Sequence, residues 1–318
     1  MPRSYAVLGC GAIGAFYGAR LARAGHDVHF ILRSDHAHVQ RHGLVIESVD
    51  GDFRLPQVAA YADAKELSEA RGGRACDVVL IGLKTTANAV LAHALPPLVG
   101  PGTSVLVLQN GLGVEAQVAR WAPQAHVVGG MCFICAQRVG PGHVRHLDQG
   151  PITAAAHRAD GAPAGVTPEL EQLARDFALA GIALLPEADL GTARWKKLVW
   201  NVPFNGLSVV LHASTRELTA QPEARALVES LMHEVIDAAT ACGHAIDRSF
   251  IDTMLCTTDA MPPYLPSMRL DADAGRPLEL DAIYAAPLAA AKRAGLPTPR
   301  IEMLYRQLRA VEARSGMK

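Results

Sequence analysis

The chain has 318 residues, 50% of them hydrophobic, 19% charged and 5% aromatic. That length suits two domains, and that apolar share can build a core, which excludes disorder as the default. With 30 Lys plus Arg against 31 Asp plus Glu the formal net charge is −1, so the chain has no bulk attraction to nucleic acid or to an anionic membrane.

Tyr5 to Leu8 is a short apolar run, followed by a glycine-rich turn and a helical pattern from Ile13 to Ala24 that Gly25 is placed to end. Arg3 followed by apolar residues imitates a signal peptide, but the glycines at 9, 11, 14 and 18 argue against one. No apolar run approaches the roughly 18 residues that a membrane span needs. Val28 to Leu32 is a second strand-like run. Leu44 to Ile46 and Phe53 to Val58 flank Asp50-Gly51, a hairpin signal. Val78 to Leu83, Ser104 to Leu108 and Val127-Val128 continue the strand series, with helical patterns at Thr86 to Leu95 and Val114 to Trp121. Strands that read as unbroken apolar runs between helices imply a parallel sheet covered on both faces.

Gly140-Pro141-Gly142 reads as a turn, Gly142 to Ala155 as a strand, and Arg158 to Thr167 as a loop. A helix follows at Leu170 to Leu179 and a strand at Ile182 to Leu185. Beyond Asp189 the signals are helical: Ala193 to Val199, Glu223 to Cys242, Pro277 to Ala294 and Ile301 to Glu312. The expectation is an α/β domain over residues 1–188 and an all-helical domain over 189–318. The six cysteines do not form a disulfide framework. Cys132-x-x-Cys135 has no second pair to complete a zinc site, so no metal is expected and the two read as packed apolar residues. Reduced thiols fit a cytoplasmic location.

Gly9-Cys10-Gly11-Ala12-Ile13-Gly14 is G-x-G-x-x-G in its required context, between a strand and a helix. Gly9 permits a tight turn, Gly11 a close approach of pyrophosphate to backbone, and Gly14 the packing of helix on sheet. The helix N-terminus would face the phosphates. At the next strand end an NAD site carries Asp or Glu for the ribose 2′-hydroxyl. Here stands Leu32-Arg33-Ser34; Arg33 attracts a 2′-phosphate and Ser34 can donate to it, which favours NADP(H). Asp35, just past the strand end, is the counterargument. Lys84 and Asn110 close two further strands on the edge where this fold binds ligands, although a solvated lysine and an Asn-Gly turn would read the same way.

In Trp195 to Asn205, the residues Lys197, Asn201 and Asn205 recur at i, i+4 and i+8 among Leu198, Val199, Trp200 and Phe204. On a helix they form one stripe, drifting about 40° per step. Polar groups in such a setting are costly unless they face partners or a polar cleft; an exposed lysine on an amphipathic helix is the alternative for Lys197. Pro203 would kink the helix.

These motifs, with Ser267-Met268 and Gly275-Arg276-Pro277-x-Glu279-x-Asp281, resemble the ketopantoate reductase (2-dehydropantoate 2-reductase) family almost end to end. The resemblance implies an N-terminal Rossmann-type domain and a C-terminal helical domain of the 6-phosphogluconate dehydrogenase type. It implies NADPH-dependent reduction of 2-dehydropantoate to pantoate in pantothenate and coenzyme A biosynthesis. It assigns Lys197 as general acid and Glu279 as second catalytic residue, although Glu279 by itself reads as a surface carboxylate opening a helix. Asn110, Asn201, Asn205 and Ser267 would bind substrate; the Gly9–Gly14 turn, Arg33, Lys84 and Asn110 would bind cofactor. A homodimer is an assembly the resemblance allows. Met131 to Cys135 departs from the family, standing where many relatives carry small polar loop residues. Two other readings stay open: an NADP(H)-dependent reductase of another small 2-oxo acid, and a non-catalytic NADP(H)-binding sensor.

Overall fold

The computed structural model describes residues 2–314. They divide into two compact units: one runs up to Gln109 and from Val114 to Leu190, the other comprises Asn110–Gly113 and the chain from Gly191.

The first unit begins with β1 (Ser4–Leu8), α1 (Ala12–Arg23), β2 (Asp27–Ile31), α2 (His36–His42), β3 (Leu44–Ser48), β4 (Phe53–Leu55), β5 (Ala59–Tyr61) and α3 (Ala64–Ala70). It continues with β6 (Val78–Ile81), a 3-10 turn at Thr85–Val90, α4 (Leu91–Ala94), β7 (Ser104–Val107) and α5 (Val114–Trp121). Then come β8 (His126–Gly140), β9 (His143–Ala156), α6 (Pro168–Leu179) and β10 (Leu184–Glu187). The strands form one sheet ordered β4-β3-β9-β8-β7-β6-β1-β2-β5, with β10 on β9. From β5 through β2, β1, β6 and β7 to β8 every pairing is parallel. That stretch has the doubly wound order of a Rossmann fold, whose switch point lies between β1 and β6. Strands β1, β6 and β7 are buried along their whole length, as expected for apolar runs covered on both faces.

The sheet is not parallel throughout. β8 and β9 pair antiparallel, as do β3 and β4. A parallel return needs a crossover of about a dozen residues, whereas β8 and β9 are joined by a turn in which Gly142 takes φ +61°. Met131 to Cys135 is likewise no loop but the middle of β8, with Cys132 and Cys135 buried; Met131, Cys132, Ile134 and Cys135 pair with β9, the register shifting between Cys132 and Ile134.

α2, β5 and α3 carry no periodic signal long enough to read. α2 buries only Val39. α3 does have a legible start: the Asp63 side chain accepts from the Glu66 amide at 2.8 Å, while Glu66 accepts from the Ala62 amide at 2.7 Å.

The second unit is helical, with no strand among its described residues. It contains α7 (Leu190–Val210, from its second residue), α8 (Thr215–Ala220), α9 (Pro222–Ala241), α10 (Ser249–Ala260) and α11 (Ser267–Asp273). A π-helical turn at Asp281–Ala285 leads into α12 (Ala286–Arg293), and α13 (Pro299–Arg314) closes the unit. α7 is buried almost all round from Ala193 to Val209, the pattern of a core helix rather than an amphipathic one. It runs unbroken through Pro203. At the residue just before it, the buried Tyr284 hydroxyl donates to the Val202 carbonyl at 2.8 Å. Among the described residues no helix is long and apolar enough to cross a membrane.

Candidate active site

In the first unit the glycine turn closes β1. Gly9 takes φ +93°, and a Cβ there would stand 2.4 Å from the Leu83 amide nitrogen. A Cβ on Gly14 would stand 2.2 Å from the Gly9 carbonyl oxygen. Gly82, outside the glycine motif, belongs to the same packing: its Cβ would stand 2.8 Å from that oxygen. The turns after β1 and β6 thus touch backbone to backbone, and only glycines permit it. Gly11 is the opposite case, exposed, with no atom within 4 Å of a Cβ position. It caps α1 and, as glycine, offers no side chain to the first helical amides, and open space lies above Gly11. A dinucleotide pyrophosphate fits this cradle. Cys10 turns its sulfur away, toward the Ile31 carbonyl at 3.6 Å. Desolvation and the nearby Asp35 carboxylate push its thiol well above the ordinary range, so it stays protonated.

Arg33 is exposed past the end of β2 and makes no ion pair with a described residue. Ser34, expected to be able to donate to a 2′-phosphate, directs its hydroxyl to Asp35 at 3.0 Å. Asp35 is buried and its carboxylate is held from the β8–β9 hairpin, so the expected counterargument to NADP(H) is a structural group here. Lys84 is half-buried and caps the 3-10 turn after β6. Behind it lies a network that sequence reasoning missed. The Gln109 side-chain amide donates to the Leu83 carbonyl at 2.9 Å and to Asn88 Oδ1 at 2.6 Å, and Asn88 donates to Gln117 at 2.6 Å. It braces the ends of β6 and β7 against each other.

In the second unit the Lys197 stripe is buried. Lys197 is 7% exposed, Asn201 and Asn205 2% each, which removes the alternative of a solvated lysine. Lys197 Nζ lies 5.5 Å from the centre of the Trp200 ring. Asn201 Nδ2 donates to Asn110 Oδ1 at 3.2 Å. The Asn110–Gly113 segment is held in this unit by the Leu112 amide, which donates to the Ala282 carbonyl at 2.9 Å. Gly111 takes φ +101°, and a Cβ there would stand 2.4 Å from Ala282. Asn110 therefore groups with the helical residues, although its position in sequence assigns it to the α/β half. Asn205 Oδ1 accepts from the Met268 amide at 3.4 Å, which sets Ser267, half-buried at the start of α11, beside the stripe.

Glu279 is 5% exposed and lies just ahead of the π turn. It is no surface carboxylate; Asp281, two residues on, is the exposed one. The five-residue π turn carries Ala282, Ile283 and Tyr284 inward, and such turns recur at functional sites.

A family model described as ketopantoate reductase PanE/ApbA matches residues 5–159, and its C-terminal counterpart matches residues 189–312. The chain belongs to the ketopantoate reductase family. A 2-dehydropantoate 2-reductase of Nostoc sp. is 49% identical over 313 residues, covering 98% of this chain and 96% of the relative. The crystal structure of 2-dehydropantoate 2-reductase from Geobacter metallireducens superposes with a TM-score of 0.90 at 42% identity, over 96% of this chain and 99% of that one. That from Methylococcus capsulatus gives 0.86 at 32% identity, over 99% and 98%. Like other ketopantoate reductases, the chain is an oxidoreductase of the NADP(H)-using class.

Proposed function

We propose that this chain reduces 2-dehydropantoate to pantoate with NADPH, a step of pantothenate and coenzyme A biosynthesis. The observation that carries the reading is the buried polar stripe Lys197, Asn201 and Asn205 in an otherwise apolar core helix, joined to Asn110 and to the start of α11. Core helices do not retain such groups for stability.

Bound NADPH supplies the hydride. The chain's residues bind, orient and protonate. The glycine turn Gly9–Gly14 and the N-terminus of α1 hold pyrophosphate, Arg33 holds the 2′-phosphate, and Lys84 serves the nicotinamide ribose. Asn110 contacts cofactor and substrate alike. Asn201, Asn205 and Ser267 hydrogen-bond the hydroxyl and carboxylate of the keto acid. As negative charge builds on the keto oxygen, Lys197 Nζ donates a proton to it, leaving a neutral amine that solvent reprotonates. Glu279 holds Lys197 or the substrate hydroxyl in place and favours the ammonium form. On this reading residues 1–188 serve the nucleotide, apart from Asn110, which also reaches the substrate, and residues 189–318 serve the substrate. The free cysteines support a cytoplasmic setting. Family resemblance supports a homodimer, which light scattering would show as twice the chain mass.

Steady-state kinetics test the assignment. kcat/KM is expected to be highest for 2-dehydropantoate with NADPH, against NADH and against other branched 2-oxo acids. A better branched 2-oxo acid would overturn the substrate; tight NADPH binding with no oxidation by any 2-oxo acid would show a sensor instead.

A further inference from the structure

The loop after β2 carries two opposite charges two residues apart. Arg33 is exposed, whereas Asp35 is 6% exposed and surrounded by donors. One Asp35 oxygen accepts from Ser34 Oγ at 3.0 Å and the other from the Gly142 amide at 3.1 Å. Arg138 Nη1, reaching over from β8, lies 3.0 Å from each. Asp35 is the N-cap residue of α2, yet its side chain makes no capping hydrogen bond there; it is turned wholly toward the hairpin.

A free carboxylate at this place in the fold would do two things. It would offer an acceptor to a ribose 2′-hydroxyl, as NAD sites do. It would also repel a 2′-phosphate and compete for the Arg33 guanidinium. Paired with Arg138, the loop presents Arg33 as its net charge. We propose that Arg138 is a specificity-determining positioning residue: by engaging Asp35 it withdraws a carboxylate from the 2′-phosphate subsite and leaves Arg33 to read the phosphate. The proposal rests on the NADP(H) reading above. The competing role for the pair is mechanical, tying the hairpin tip to the β2 loop.

Charge and tether are separated by a double-mutant cycle read as binding. Wild type, Arg138→Met, Asp35→Asn and the double variant are titrated with NADPH and with NADH, following nicotinamide fluorescence, with circular dichroism to check folding. Arg138→Met is expected to weaken NADPH about tenfold, the equivalent of about 1.4 kcal/mol, and to leave NADH within about twofold. In the double variant the tether is still lost but no carboxylate remains, so NADPH affinity returns to within about threefold of wild type. Equal loss for both nucleotides, or a double variant as weak as Arg138→Met, would overturn the proposal. Asp35→Asn decides the matter even if Arg138→Met does not fold: NADPH affinity is expected to be kept, and its loss sinks the idea. A wild-type chain with no preference for NADPH would bring down the NADP(H) reading and the proposal together, whereas a preference untouched by Arg138→Met would bring down the proposal alone.

Discussion

Lys197 and Glu279 are 7% and 5% exposed, values at which ionisable side chains are rarely found unless partnered or put to use. If Lys197 donates the proton, Lys197→Ala lowers kcat by about three orders of magnitude, within the range for general acid catalysis. NADPH affinity should stay near wild type, because the role assigned to this side chain is toward the keto acid and not the nucleotide. Near wild-type kcat in that variant would remove Lys197 from its role. The residue types of the candidate site are legible from spacing and motif, Lys197, Asn201 and Asn205 above all. Their burial was not, because an i, i+4, i+8 stripe is the same string whether it faces solvent or a core. Gln109, Asn88 and Arg138 were missed for a related reason. Each acts through a hydrogen bond to a residue distant in sequence, and no local pattern announces that.

At the scale of elements, α7 is closely packed by its neighbours. Gly206 lies inside it, where a Cβ would stand 2.6 Å from Leu304 Cδ2 and 2.6 Å from the Tyr284 hydroxyl. Leu304 can rotate, but Tyr284 is held by Val202. Gly206→Ala gains about 1 kcal/mol of helix propensity and incurs overpacking of about 1–3 kcal/mol. A net destabilisation of about 1 kcal/mol is expected, read as a lower urea midpoint at unchanged slope; a stabilised variant would show that the helix has room. Long elements with strong periods, such as α1, α5 and α9, were readable to within a residue or two. α8 was overlooked although its Ser214–Glu217 capping box is complete. α2, α10 and α11 have no such signal, being set by what packs on them.

Across the whole molecule, the net charge of −1 conceals a set of local pairings. Asp77 illustrates one with a measurable consequence. Desolvation pushes its carboxyl up, but the Ser4 amide at 2.7 Å and hydroxyl at 2.8 Å, with Arg3 and Arg71, outweigh this and hold it below the usual range. A carboxyl depressed on folding adds stability that is present above its unfolded pKa, about 3.9, and is lost as pH falls through the folded value. Asp77→Asn should therefore flatten the dependence of the urea midpoint on pH below about 4. Parallel acid limbs in the two proteins would show that Asp77 contributes nothing there.

By itself the sequence determined the two-part organisation, the glycine-rich turn between strand and helix, the arginine standing where an acidic residue could follow β2, and the polar stripe, because each is written in residues close together in the chain. Tertiary structure decided the rest. It turned β9 back antiparallel on β8, grouped Asn110 with the helical residues, buried Glu279 ahead of a π turn and paired Asp35 with Arg138. The antiparallel return is set by a turn between neighbouring strands, which a run of apolar residues does not reveal. Asn110 and Asp35 are fixed by Asn201 and Arg138, which lie far away in the chain, and the burial of Glu279 is likewise a property of the packed fold and not of the local string.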